Sequence, residues 1–99
     1  MNIYYDPEKF GLTIIAEIDD GTSYDFDQTV VFQDKAGVLY SASDSGCSCP
    51  TPFDNIGLED LEKIDFESFE KSVLDKTYYQ LTPLDIKNFL SAVKDALLN

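Results

Sequence analysis

Apolar and polar positions follow a period of two through the first half of the chain and a period near 3.6 in the second. Leu12 to Ile18 reads as a strand, with Leu12, Ile14, Ala16 and Ile18 on one face. Asp19-Asp20-Gly21 supplies a turn. Tyr24 to Gln33 is a second strand, placing Tyr24, Phe26, Val30 and Phe32 on one side and Asp25, Asp27, Thr29 and Val31 on the other. Asp34-Lys35-Ala36-Gly37 is a turn closed by glycine, and Val38 to Ser43 returns as a third strand, so this part predicts a β-hairpin. One sheet face is expected to be buried and the other mostly polar. Ahead of these strands, residues 3 to 11 read as an extended lead-in with a turn at Asp6-Pro7.

Beyond residue 57 the spacing becomes helical. Leu58, Leu61 and Ile64 predict a short acidic turn of helix. Asp65 is placed to cap a second helix with Phe66, Phe69, Val73 and Leu74 on its stripe, ending near Lys76. Thr82-Pro83-Leu84-Asp85 offers an N-cap, a proline at the first helical position and an acid near the positive end of the dipole. Ile86, Phe89, Leu90, Val93 and Leu97 follow as one apolar stripe, with Asn88, Ser91 and Asp95 toward water. The expected class is α+β: a three-stranded antiparallel sheet, a hairpin plus one strand, with two to three C-terminal helices packed on one face. At 99 residues the chain is one small domain, β-rich over 1–44, a junction loop over 45–57 and helical over 58–99.

The junction is the unusual stretch. Asp44-Ser45-Gly46-Cys47-Ser48-Cys49-Pro50-Thr51-Pro52-Phe53 holds both cysteines and two of the four prolines. The prolines fix their own φ and push preceding residues toward extended geometry, so the loop is stiff. Cys47 and Cys49 at C-x-C spacing supply half of a four-ligand metal site, which a homodimer would complete. A redox role requires a cation nearby, and no lysine lies between Lys35 and Lys63. The plainer reading makes both cysteines small buried side chains that pin the loop to the sheet. On this reading Asp44, Gly46, Cys47, Cys49, Pro50 and Phe53 position the strand half against the helical half.

Charge then narrows the function. The chain carries 19 acids against seven lysines, with no arginine and no histidine, for a net charge of -12. Such a field repels nucleic acid and anionic membrane and favours a basic protein partner. Without histidine there is no imidazole base or zinc ligand, and without arginine no bidentate phosphate clamp. We therefore expect no enzyme and no cofactor. The N-terminus lacks a basic segment followed by an apolar run, and no run approaches the roughly 20 residues of a membrane span, so a cytoplasmic location with reduced thiols is expected. Residues 1–57 hold ten acids and two lysines, and residues 58–99 nine acids and five lysines. Within the more acidic half, Glu17, Asp19, Asp20, Asp25 and Asp27 form the candidate binding face. Asp25 and Asp27 share one strand face about 7 Å apart, a spacing that raises mimicry of a DNA backbone. A solvated sheet face kept charged against edge pairing accounts for the same residues.

Tyr5-Asp6-Pro7-Glu8-Lys9-Phe10-Gly11-Leu12, then Glu17-Ile18-Asp19, Tyr24-Asp25-Phe26-Asp27, and above all Asp44-Ser45-Gly46-Cys47-Ser48-Cys49-Pro50 with Pro52-Phe53, resemble a family of small acidic proteins of unknown function encoded by actinobacterial bacteriophages. The resemblance spans about residues 4 to 64. It implies a setting, the cytoplasm of an infected host, and no catalytic residues. The expectation is an acidic interaction protein that binds a basic host or phage protein, with DNA mimicry and an anti-defence role as its narrower form. The alternative is a metal-binding or redox module built on Cys47 and Cys49.

Overall fold

The computed structural model describes residues 1–47 and 51–99. A 3-10 turn at Pro7–Phe10 leads into β1 (Leu12–Asp19), β2 (Asp25–Asp34) and β3 (Leu39–Cys47). A second 3-10 turn at Leu58–Asp60 precedes β4 (Glu62–Lys63), α1 (Phe66–Asp75) and α2 (Pro83–Leu98). The class is α+β as expected, but the antiparallel sheet has four strands, in the order β1-β2-β3-β4. The added strand pairs Lys63 with Tyr40 and Glu62 with Ser41, and the Ile64 N–H donates to the Leu39 carbonyl at 3.0 Å. Two charged residues carry no alternation to read. The helix expected over Leu58, Leu61 and Ile64 is reduced to the 3-10 turn, and Leu61 and Ile64 pack into different cores.

Both faces of the sheet are covered, which corrects the expectation of one polar face. On one side Val31 and Leu39 pack under α2 residues Ile86, Phe89, Leu90 and Val93 and under Val73 of α1. On the other, Leu12, Val30, Phe32 and Ala42 pack against Ile3 and Phe53. Val30 and Phe32 are thus buried as expected, but under the N-terminal lead-in and the junction instead of the helices. Val31, expected on the polar side, is fully buried. Burying a side chain of this size contributes roughly 1.5–3 kcal/mol, which explains why adjacent apolar residues on β2 select a sheet covered twice.

The reading of β1 also needs correction. Ile14 pairs with Phe32 and Ala16 with Val31, leaving Ile15 as an extra residue. This bulge switches the faces: Leu12 and Ile14 join the Phe53 side, whereas Ala16 and Ile18 join the helix side. A strict alternation could not reveal it.

Local signals elsewhere are realised. In the β2–β3 turn the Gly37 N–H donates to the Asp34 carbonyl at 3.0 Å, and Gly37 has φ +88°, a left-handed value that glycine adopts without strain. At the start of α2, the Asp85 N–H donates to Thr82 Oγ1 at 3.2 Å and the Thr82 N–H donates to Asp85 Oδ2 at 2.9 Å. Asp65 stands before α1 as expected, yet its carboxylate accepts the Ser68 hydroxyl and caps no backbone N–H. Leu74 and Leu97, assigned to the buried stripes, are exposed. Among the described residues no helix is long and apolar enough to cross a membrane.

Candidate functional site

Asp19-Asp20-Gly21 makes the expected turn, but its two acids do different work. Asp19 Oδ1 accepts the N–H groups of Gly21 at 2.8 Å and Asp27 at 2.9 Å, fastening the turn to β2. Gly21 lies so close to β2 that a Cβ would stand 2.5 Å from the Asp25 carbonyl oxygen. Asp20 turns the other way and is buried. Its carboxylate accepts the N–H groups of Tyr79, Gln80 and Leu81, at 2.7 to 3.0 Å, in the connection between α1 and α2. Burial is the largest single influence on this carboxyl and opposes ionisation. The three N–H donors and nearby Lys76 together outweigh it, holding the group below the usual carboxylate range.

The rest of the turn displays what the anchor fixes. Asp25 Oδ1 accepts the Thr22 N–H at 2.6 Å and its hydroxyl at 2.9 Å, and these bonds hold the Asp25 carboxyl below its ordinary range. Lys76 Nζ donates to both oxygens of Asp27 at 3.1 Å. Tyr24, expected on the buried side of β2, stands 83% exposed, and Tyr79 stands 82% exposed. Tyr24 precedes the first paired residue of β2, so the strand's alternation does not govern it. The two tyrosines, Asp25, Asp27, Gly46 and Cys47 line one open concavity of about 700 Å³.

Of the five acids expected on the binding face, the structure brings three to this concavity: Asp25, Asp27 and, buried at its floor, Asp20. Glu17 is elsewhere. It pairs with Val30 and accepts the Tyr4 hydroxyl at 2.6 Å, on the face covered by the N-terminal segment. Burial first, and then Glu17, push the Tyr4 phenol up to about 12. Asp19 is consumed by its turn. The residues missed by sequence reasoning are Tyr24 and Tyr79. A tyrosine flanked by Ser23 and Asp25, and another in the stretch between two helices, were the signals available.

The junction is built around Asp44 and Phe53. Asp44 accepts the Ser45 N–H at 3.0 Å through one oxygen and the Phe53 N–H at 2.9 Å through the other. Phe53 is fully buried, stacks on Tyr4 with centroids 5.4 Å apart, and adopts φ +66°, unusual for a bulky residue. Gly46 faces Phe26 across the sheet, where a Cβ would lie 3.4 Å from its ring. Cys47 is exposed, paired in register with Asp25 at the end of β3, which corrects the reading of it as a buried pin. Cys49 and Pro50 lie outside the described residues. Among the described residues, no three acid, cysteine or histidine side chains gather closely enough to hold a metal ion.

Two carboxylates beside two exposed aromatic rings suit a cationic side chain. Asp25 and Asp27 supply charge, and each ring face adds about 0.5–1 kcal/mol to a lysine or arginine placed over it. A family of proteins described as a domain of unknown function (DUF7574) matches residues 1–98. No curated protein and no solved structure matches the chain.

Proposed function

Since the chain belongs to this family of unknown function, DUF7574, we propose that it is a non-enzymatic interaction protein that captures a basic protein through the Tyr24–Tyr79 concavity. The observation that carries this reading is the pair of tyrosines, each more than 80% exposed, beside Asp25 and Asp27. Exposed tyrosines beside charge are the residue types that dominate binding energy at interfaces. The -12 charge adds long-range attraction for a basic partner and accelerates encounter. Mimicry of a DNA backbone is the stricter form and asks for an unbroken row of free carboxylates. With Asp20 buried and Asp27 paired to Lys76, recognition of a basic side chain fits better. The resemblance to phage-encoded proteins supplies the context we take forward: a basic host or phage protein met in the cytoplasm of an infected host, with inhibition of a defence as the outcome.

Calorimetric titration with a lysine- and arginine-rich peptide at about 0.15 M salt tests the proposal. Tyr24→Ala combined with Tyr79→Ala leaves the net charge unchanged and is expected to weaken binding at least about tenfold, some 1.4 kcal/mol. Asp25→Asn with Asp27→Asn is expected to do the same. Affinity capture from infected host lysate, repeated with both variants, extends the test to the natural partner. Undiminished binding by the folded tyrosine variant would show that diffuse charge alone is responsible and would overturn the site.

A further inference from the structure

The helix layer carries a second surface with a different character. Between α1 and α2 runs an apolar groove of about 690 Å³, with Leu74, Leu81 and Leu90 among its walls and Glu70, Lys87 and Lys94 at its lips. Leu84, Lys87, Ser91, Lys94 and Leu98, at spacings of three and four, share one exposed face of α2, a seam with a leucine at each end and polar residues between. This seam is distinct from the stripe Ile86, Phe89, Leu90 and Val93 that α2 buries against the sheet. Leu74, Leu84 and Leu98 are 60%, 63% and 75% exposed, and Leu84 and Leu98 lie beyond the groove itself, so a small ligand in the groove leaves the seam uncovered.

Charge identifies the occupant. Among the described residues of this strongly acidic chain, Lys76 is the one lysine within 4.0 Å of a carboxylate, so Lys87 and Lys94 stand beside the groove without an ion-pair partner. They lie seven residues apart, about 10.5 Å along the helix. The opposite wall, α1, brings the half-buried Glu70 to the groove, with the exposed Glu67 one turn before it and Lys71 next to it in sequence. At the groove itself α1 offers Glu70 and α2 offers Lys87 and Lys94, and a two-fold axis places the acid of one copy on the lysines of another. A patch of this kind is self-complementary.

We infer that a second copy of this chain docks on the groove in an isologous dimer, with Leu74 and the Leu84–Leu98 seam buried and Glu67 and Glu70 of each copy facing Lys87 and Lys94 of the other. The lysine stems cover apolar surface while their ammonium groups meet the acids, and the charge pattern sets the register. The groove and the tyrosine concavity share no lining residue and meet at the α1–α2 connection, where Tyr78 and Leu81 of the groove flank Tyr79 and Gln80 of the concavity.

Analytical ultracentrifugation of the full chain from about 1 to 100 µM, at about 0.15 M salt, tests the inference. The expected species approaches twice the 11.1 kDa monomer at the upper end. Lys87→Glu with Lys94→Glu, and separately Glu67→Lys with Glu70→Lys, are each expected to weaken self-association at least tenfold while circular dichroism stays unchanged. Mixing the two charge-reversed proteins is expected to restore a dimer, because each then offers what the other lacks. A monomer throughout the range, or a dimer that persists unchanged in both folded variants, would overturn the inference.

Discussion

The two turns that join the first three strands use the same residue type to opposite ends. In the β2–β3 turn, Asp34 serves its own neighbourhood: it accepts the N–H groups of Ala36 and Val38 at 2.9 Å and the Tyr40 hydroxyl at 3.2 Å. In the β1–β2 turn, Asp20 ignores its neighbours and binds N–H groups 59 to 61 residues away. The first arrangement closes a hairpin and presents nothing further. The second ties the helical layer to the sheet edge, and in doing so fixes Tyr79 in the concavity that Tyr24 also lines. A turn that folds itself is legible from its own four residues, whereas a turn that organises a distant segment becomes a place where two parts of the chain make a surface.

Breaking the two anchors should separate these roles. Asp20→Ala is expected to cost about 2–4 kcal/mol in urea denaturation, because three part-buried N–H donors lose a buried, charged acceptor together. It should also abolish basic-peptide binding by releasing Tyr79. Asp34→Ala should cost less, about 1–2 kcal/mol, and leave peptide affinity unchanged. Equal losses in stability and binding for the two variants would erase the distinction.

Acid sharpens the comparison further. Asp20 is held below the ordinary carboxylate value of about 4, so its contribution to stability is complete above that pH and is lost as the pH falls through its folded value. Between those two values the unfolded chain binds the extra proton, and stability therefore rises with pH. Denaturation midpoints measured from pH 2 to 6 should fall steeply on the acid side for the natural chain and less steeply for Asp20→Asn. The smallest effect is expected from Lys76→Ala. Its ion pair with Asp27 is partly exposed, so stability should change by under about 1 kcal/mol, while affinity for a basic peptide should rise about two- to fivefold as Asp27 is freed. A lower affinity would mean that Lys76 positions Asp27 and does not compete for it.

What the sequence made legible divides along the same line. Thr82-Pro83-Leu84-Asp85 and Asp34-Lys35-Ala36-Gly37 act locally, and each appears where its residues place it. The class and most element boundaries followed from periodicity. The extra residue Ile15, the pairing of Glu62 and Lys63 with β3, and the burial of Val31 depend on what lies across the sheet, and no local pattern encodes them. The candidate site shows the same limit. Asp25 and Asp27 were identifiable from charge and alternation, but Asp20 looked like another surface acid because its partners lie near the far end of the chain. The alternation that would place Tyr24 in the core begins one residue after it.

Nuclear magnetic resonance titration of the full chain with a lysine- and arginine-rich peptide tests the central claim most directly. The backbone amides of Tyr24, Asp25, Asp27 and Tyr79 are expected to shift together and saturate at one stoichiometry, while those of Asp34 to Val38 stay fixed. Shifts spread evenly over all acidic segments, or centred on the β2–β3 turn, would contradict the account.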